Sequence, residues 1–521
     1  MATSLGFSCS HVGYSASKKD PTKDLVVVKA YEHFDDGTKK PVLHIKENVQ
    51  REFYITKPHF QTHREKKTYE DKRKLQKYTS NEAGMPGKIK KLLNINSPRA
   101  NSLKDLASDP YKGQYIYGAD THVTTHVKQK YRDKWSDLFS ELKLAVYDIE
   151  TDVNFGEEWA IMAAGTCKEN AVLTINRWWI EKVLEHRKDL KMTVDQFLDE
   201  VRRVCYEELS NADFGQGPID IVKQRKLNIE ILLAENAGET HAKTIQKFHE
   251  WKPDVVTVWN INFDLKKAIG TPEKKVNGHV IKAVNGDLQN FCIDPAVVFC
   301  DPNIPDEYKR FHYDEAPRKR VTAKGTTMSF DWYQQWHWVD APASFVWMDQ
   351  AAVWYDQRKH LGKEPMGLDR ILKKYAGIGK LKTDDSGLED LAWHEHMQLK
   401  EPFKYCAYCI FDCIGPEMLD EHPKVGDIRS RIGTQLKSSS FHDVQKLPKR
   451  VCDSFTFFLE KRNKVMGTAS RNMITEFDEA TFPPRGWITT LKPYLIRDNG
   501  VRALSDNPKV RTLIRRSVYD Q

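Results

Sequence analysis

The chain has 521 residues, of which 40% are hydrophobic, 30% charged and 11% aromatic, and this composition excludes wholesale disorder. At roughly 150 residues per domain, the length predicts about three domains. The apolar runs are strand-sized, as at residues 254–259, and the first residues lack a basic start followed by an apolar block. We therefore expect neither a membrane-spanning helix nor a secretory signal. Nine scattered cysteines indicate free thiols in a reducing compartment, and we predict a cytoplasmic protein.

Charge is distributed unevenly along the chain. Residues 1–140 hold 26 Lys and Arg against 16 Asp and Glu, residues 141–420 hold 36 against 46, and residues 421–521 hold 19 against 11. Basic segments on both sides of an acidic centre suit a polyanion that is held next to a cation-binding site. This charge pattern makes nucleic acid a candidate partner. Solvated charged faces are the plainer alternative. We predict three domains with these same boundaries.

The N-terminal 140 residues predict an α+β domain. Strand-like segments lie at 25–30, 42–45 and 52–55, and strand character returns at 113–127. Between them, a strongly basic stretch at 64–77 predicts a helix, and residues 97–108 predict a turn followed by a capped helix start.

The centre alternates strands with helices, which predicts an α/β fold with a mixed sheet covered on both faces. The predicted strands lie at 144–150, 159–166, 171–175, 255–259 and 345–349. The predicted helices lie at 194–209, 228–251, 349–359, 367–375 and 402–419. Residues 270–343, rich in Gly, Pro and aromatic residues, predict a hairpin or an insertion. The tail predicts a helix at 455–464, an irregular segment at 482–487 and a strand-like end at 517–521.

A pair of acids closes the strand at 144–150. Asp148 and Glu150 are two residues apart, so on a strand both carboxylates point to the same face. Two close carboxylates repel each other unless a cation or a proton lies between them. Acids also close many strands simply as solvated ends, so this motif alone decides nothing.

Two further acidic motifs follow in the chain. Asn260 and Asp264 come after a second buried strand, where Asn and Asp are also favoured as helix N-caps. Tyr408 and Asp412 are four residues apart on a predicted helix, which stacks the phenol and the carboxylate on one face. An ordinary amphipathic turn would give the same spacing.

Taken together and in this order, Asp-x-Glu, Asn-x-x-Phe-Asp and Tyr-x-x-x-Asp resemble the motifs of the 3′–5′ proofreading exonucleases of family B DNA polymerases. Residues 144–151 (LAVYDIET), 258–265 (VWNINFDL) and 405–414 (YCAYCIFDCI) look like the three exonuclease motifs. Residues 377–384 (GIGKLKTD) are similar to a segment in the polymerases of T-even-type bacteriophages. The similarity covers about residues 110–521.

This resemblance implies an RNase H-like (DnaQ-like) exonuclease domain at 141–420 that acts in DNA replication on a single-stranded 3′ end or a primer–template. It also implies an incomplete linker and the start of a polymerase palm at 421–521. Two Mg²⁺ or Mn²⁺ ions would be the cofactors. The implied metal ligands are Asp148, Glu150, Asp264 and Asp412.

The resemblance assigns further roles. Tyr408 would orient the attacking water and Lys380 would offset charge near the scissile phosphate, although an exposed loop lysine is an equal alternative. Asn260 and Phe263 would contact the DNA strand, although capping and packing explain them nearly as well.

The sequence departs from the family in three places. Asn260 and Phe263 are separated by two residues, where phage relatives often have three. The gap from the second motif to the third, residues 264 to 412, is longer than usual in the family. The family's usual linker motif is not reproduced at 482–487. The later polymerase motifs are not found complete, but residues 516–521 resemble the strand that enters the first of them. Asp520 then takes the position of a polymerase metal ligand.

We therefore expect a split, truncated or intein-interrupted polymerase, whose palm, fingers and thumb belong to a second polypeptide. A strand-like tail that happens to end in Asp is the alternative to this expectation. Two other functions remain open, a stand-alone DNA exonuclease and a non-catalytic DNA-binding or assembly scaffold that keeps the fold.

Three other features attract attention. Cys406, Cys409 and Cys413 have no fourth ligand at metal-site spacing, so we predict that they are small core residues. The His394-Glu395-His396 run lacks a zinc-protease spacing and predicts a surface segment. The aromatic-rich stretch 332–347 could stack bases, but packing in a core or hairpin is the preferred prediction.

Overall fold

A computed structural model describes residues 2–470, apart from 99, 215–216, 277–278, 322–325, 363, 382–386 and 437–439. Its centre is a six-stranded mixed sheet, so the α/β class is confirmed. The strands are β1 (Leu144–Thr151), β2 (Ala160–Cys167), β3 (Asn170–Asn176), β4 (Asn228–Ala234), β5 (Val255–Val258) and β6 (Val346–Asp349). They lie in the order β4-β3-β2-β1-β5-β6. β2 is antiparallel to both of its neighbours and the other pairs are parallel.

Helices cover both faces of this sheet. They are α1 (Arg177–His186), α2 (Val194–Ser210), α3 (Ala237–Trp251), α4 (Ile261–Ile269), α5 (Gln350–Arg358), α6 (Asp390–Lys400) and α7 (Pro402–Glu421). On one face Val146 of β1 joins a core with α2 and α7, and on the other face Tyr147 joins a core with α3 and α4. At Gly165 of β2 an added Cβ would lie 2.8 Å from the Phe248 ring, so glycine lets α3 approach the sheet closely.

The predicted helix at 228–251 is partly wrong, because its first third is strand β4. Residues 228–234 (NIEILLA) pair in parallel with β3, and the helix begins only after Asn236, whose side chain accepts from the Glu239 amide at 3.0 Å. An apolar run of this length fits either the helical or the strand period, and pairing with β3, which makes β4 the edge of the sheet, decides for a strand. The other predicted strands and helices of the centre are confirmed within a few residues, except that the one at 367–375 is a short helix (Leu368–Ile371) continued by a π-helical turn (Leu372–Ala376).

The N-terminal part contains two three-stranded antiparallel sheets. The first is formed by Ser4–Ala16, Asp24–Phe34 and Lys39–Glu47, and in the second Arg51–Thr56 lies between Leu75–Ser80 and Ile116–Tyr117. Two helices accompany them at Met85–Leu93 and Leu103–Ala107. The second begins at a capping box formed by Ser102 and Asp105, which confirms the predicted helix start.

Two N-terminal predictions are wrong. The basic stretch 64–77 is not a helix: it forms the strand Tyr69–Asp71, a 3-10 turn (Lys72–Lys74) and the start of the next strand. The reason is tertiary, because Tyr69–Asp71 pairs antiparallel with Lys464–Met466. Residues 113–127 hold only the short strand Ile116–Tyr117, and from Val123 they enter the helix Val123–Lys134, which the His122 side chain caps.

Residues 270–343 contain short antiparallel strand pairs together with two short helices, Asp287–Asn290 and Pro295–Phe299, so the hairpin alternative agrees with the structure. The pairs are Gly270–Thr271 with Val284–Asn285, Lys274–Val276 with His279–Ile281, His312–Asp314 with Trp338–Asp340, and Lys319–Val321 with Thr327–Ser329. Beyond α7, a helix spans Leu447–Glu460, earlier than the predicted 455–464. No helix in the described ranges combines the length and apolarity needed to cross a bilayer.

Candidate functional site

The end of β1 carries the first two acids. β1 alternates its side chains, so Val146, Asp148 and Glu150 face α7 while Tyr147 faces the opposite core. On that opposite face the Tyr147 hydroxyl lies 2.6 Å from Nδ1 of the buried His241. This hydrogen bond holds β1 against α3. Asp148 is partly exposed and Glu150 is buried.

Helix α7 presents the third motif to these acids. Tyr408 and Asp412 are one helical turn apart, and both are buried. Pro416 lies a further turn along and has no amide hydrogen, so it cannot donate to the carbonyl of Asp412 as an ordinary helical residue would. The oxygens of Asp148, Glu150 and Asp412 approach to within 4.8 Å of one another.

The fourth acid, Asp264, comes from the first turn of α4 and lines the same cleft. Asn260 precedes this helix at its N-cap position, but its side chain makes no capping hydrogen bond. Asp349 at the end of β6 takes that role, accepting from the Ile261 amide at 3.1 Å and from the Ala352 amide at 2.8 Å. Asn260 therefore holds the predicted N-cap position without capping the helix through its side chain, and its buried Oδ1 has no hydrogen-bond partner among the described residues.

Lys380 is the one cation that bonds directly to these acids within the described part of the chain. Its ammonium donates to Tyr408 Oη at 2.6 Å and to Asp412 Oδ2 at 2.5 Å, and its backbone amide donates to Asp369 Oδ1 at 2.8 Å. The alternative of an exposed loop lysine does not hold.

All eight predicted site residues that the structure describes line one cleft of about 590 Å³, a size that accommodates a small ligand. They are Asp148, Glu150, Asn260, Phe263, Asp264, Lys380, Tyr408 and Asp412. Phe263 is 56% exposed at its rim. The ninth, Asp520, lies outside the described residues, as do 482–487 and 517–521.

The crowding of acids shifts their ionisation. Burial, followed by the charges of Asp264, Asp412 and Glu150, raises the pKa of Asp148 well above its ordinary value. Burial also raises the pKa of Asp264, and it raises the pKa of Glu150 to about 7. Burial would lower the pKa of Lys380, but the hydrogen bond to Asp412 and the charges of Asp412, Asp148 and Glu150 together outweigh it, and the pKa is raised. Lys380 therefore stays charged and neutralises part of the cluster.

The donor set fits a hard divalent cation. Carboxylate oxygens are the ligands that Mg²⁺ and Mn²⁺ prefer. The buried Oδ1 of Asp412 has no hydrogen-bond partner in the described ranges, although a buried carboxylate oxygen is normally satisfied. At 4.8 Å and an effective dielectric constant near 20, each ionised pair repels by about 3.5 kcal/mol, which one lysine cannot cancel for three acids. Asp148, Glu150 and Asp412 could therefore hold a metal ion.

Sequence reasoning missed Tyr405, His394 and Gln398. The Tyr405 hydroxyl contacts Glu150 Oε2, and His394 Nδ1 lies 2.7 Å from the same hydroxyl. Tyr405 is seven residues before Asp412, so helical spacing could have placed it on the same face of α7. The prediction that the His394 segment is only surface is wrong for His394, because α6 turns this side chain into the cleft.

The remaining sequence features divide between core and cleft. Cys406, Cys409 and Cys413 lie in the main core, as predicted, and all nine cysteines are free. Of the aromatic stretch, Trp347 is buried in a core, whereas Trp332 lines the cleft. No protein-family model matches the chain, and no curated protein matches it.

Proposed function

We propose that this chain is the 3′–5′ proofreading exonuclease portion of a family B DNA polymerase, which removes 3′ nucleotides from DNA by metal-dependent hydrolysis. One observation carries the proposal. Four acids and a tyrosine from three distant segments, which the sequence motifs singled out beforehand, line the same cleft together with Lys380. A mixed sheet with carboxylates at the end of a central strand also agrees with the RNase H-like (DnaQ-like) fold of those exonucleases.

The acids divide into two overlapping sets of ligands. Asp148, Glu150 and Asp412 would hold one divalent ion, and Asp148 with Asp264 would hold a second. Two bound Mg²⁺ or Mn²⁺ ions supply a nucleophilic water, stabilise the charge of the transition state and assist the leaving 3′ oxygen. Because Asp264 lies in the first turn of α4, the partial positive charge of that helix end offsets part of the burial that raises its pKa.

Tyr408 and Lys380 act on the substrate side of the acids. Burial, followed by the charges of Asp412 and Glu150, raises the pKa of Tyr408, so its phenol is neutral near pH 7. Because Lys380 donates to the phenol oxygen, the phenol hydrogen remains to orient a water in the cleft. Tyr408 therefore positions the water and does not act as a base, while Lys380 places a positive charge beside the scissile phosphate.

The rim of the cleft suits unpaired bases. Phe263 is largely exposed there, Trp332 contributes a second aromatic ring, and Asn260 lines the cleft beside them. Aromatic rings stack on any base, which favours a single-stranded 3′ end without sequence preference.

The experiment is degradation of a 3′-labelled single-stranded DNA by the full chain, in Mg²⁺ and in EDTA. We expect loss of the label only with the metal. Asp148→Ala, or Asp264→Ala combined with Asp412→Ala, should abolish it without unfolding the protein. Asp137→Ala, at an exposed aspartate outside the cleft, is the control. An undiminished rate in the acid variants contradicts the proposal.

A further inference from the structure

Three polar side chains of α6 and α7 meet the end of β1, and we call His394, Gln398 and Tyr405 the brace. Gln398 is fully buried. Its Nε2 donates to the Thr151 carbonyl at 2.8 Å, and its Oε1 accepts from the Val153 amide at 3.3 Å. The backbone on the C-terminal side of Glu150 is therefore tied to α6.

The other two members of the brace hold the Glu150 side chain itself. The Tyr405 hydroxyl has one hydrogen, and it contacts Glu150 Oε2. His394 Nδ1 is 2.7 Å from the same hydroxyl. When the hydroxyl donates to the carboxylate, its oxygen is left to accept from the neutral tautomer of His394 that carries its hydrogen on Nδ1. The Tyr405 ring is itself fixed by stacking parallel to Tyr408, with ring centroids 5.9 Å apart.

Glu150 needs such support because of where it lies. Its oxygens are within 4.8 Å of those of Asp148 and Asp412, so repulsion drives this three-torsion side chain away from its neighbours. A metal ion requires its ligand oxygens in place, and groups that hydrogen-bond to ligands typically alter metal affinity by 10- to 100-fold. We propose that His394, Gln398 and Tyr405 are positioning residues that hold Glu150 in place for a divalent cation. This inference rests on the proposed function.

The test measures Mn²⁺ binding directly, by electron paramagnetic resonance of the full chain without DNA. Tyr405→Phe should weaken Mn²⁺ binding at least tenfold, while the affinity for single-stranded DNA in EDTA stays within twofold of wild type. Tyr54→Phe is the matched control, because Tyr54 donates to Glu52 at 2.6 Å in the N-terminal sheet and is not among the residues that line the cleft. It should leave Mn²⁺ binding unchanged.

A second pair of variants separates positioning from general packing. His394→Phe keeps a ring but removes both ring nitrogens, including the Nδ1 that contacts Tyr405, so it should weaken Mn²⁺ binding. His394→Asn keeps a hydrogen-bond donor, so it should bind Mn²⁺ more tightly than His394→Phe. His396→Phe, two residues along the same helix, should have no effect. If circular dichroism shows that Tyr405→Phe does not fold, the His394 pair decides.

The outcomes distinguish the two proposals. If wild type binds no Mn²⁺, the proposed function fails and the brace with it. If wild type binds Mn²⁺ and Tyr405→Phe binds it as tightly as Tyr54→Phe does, the brace alone is refuted. Equal binding by His394→Phe and His394→Asn also counts against it.

Discussion

Replacing Asp148 with Asn should stabilise the metal-free protein while abolishing the proposed exonuclease activity. The Asp148 carboxylate faces two others within 4.8 Å, so full ionisation would cost roughly 7 kcal/mol at an effective dielectric constant near 20. The protein avoids this repulsion if Asp148 keeps its proton. At pH 7.5 a bound proton costs about 5 kcal/mol for an aspartate with an ordinary pKa, so the penalty does not exceed about that value. Lys380 offsets part of what remains. We expect the free energy of unfolding to rise by about 1–3 kcal/mol in Asp148→Asn.

The assay is urea unfolding at pH 7.5, in EDTA and in Mg²⁺ or Mn²⁺. Wild type should gain about 2.7 kcal/mol at a metal concentration one hundred times the dissociation constant, and Asp148→Asn should gain little. The exposed Asp137→Asn should behave like wild type in both conditions. The reasoning is refuted if Asp148→Asn is less stable than wild type in EDTA and the metals leave the wild-type transition where it was.

Three further variants test neighbouring features. Lys380→Met should slow 3′ nucleotide removal on the order of 100-fold in single-turnover assays, because it removes a charge beside the phosphate; a wild-type rate would exclude that role. Phe263→Ala should weaken binding of single-stranded DNA in EDTA by about 1–3 kcal/mol, measured by fluorescence anisotropy. An unchanged affinity would show that the ring makes no stacking contact. Burial raises the pKa of Asp349 from 3.8 to about 7, so the folded state keeps a proton that the unfolded chain releases. Asp349 should therefore lower wild-type stability by up to roughly 4 kcal/mol as pH rises from 4 to 7, in addition to the contributions of Asp148, Glu150 and Asp264. Asp349→Asn should make this dependence smaller in unfolding measurements at pH 5 and 8.

The elements that position the acids could be predicted because their signals are local. An apolar run that ends in Asp148 and Glu150 has strand periodicity, and Tyr408 with Asp412 has helical spacing, so each pair could be placed on one face from the sequence. That Asp264 shares their cleft followed from the family resemblance, since no periodicity relates separate elements.

The brace and the failed predictions depend on contacts between distant segments. His394 faces the cleft only because α6 packs against the end of β1, and a short His-x-His pattern carries no record of that packing. The stretch at 64–77 has a helix-forming composition, but its partner strand lies at the other end of the described chain. Asn260 stands at the N-cap position of α4, yet Asp349 at the end of another strand accepts the hydrogen bond from the Ile261 amide.

The pairing of Tyr69–Asp71 with Lys464–Met466 has a consequence for biosynthesis. During synthesis, all six strands of the central sheet leave the ribosome before residues 464–466, which form the last strand of the N-terminal part. The acidic domain can therefore complete its folding while the basic N-terminal part still has an open strand edge, which is exposed to association with other chains until residue 466 emerges. Expression fragments that stop before Lys464 should thus aggregate through their N-terminal part even when the central sheet and its helices are fully folded in them.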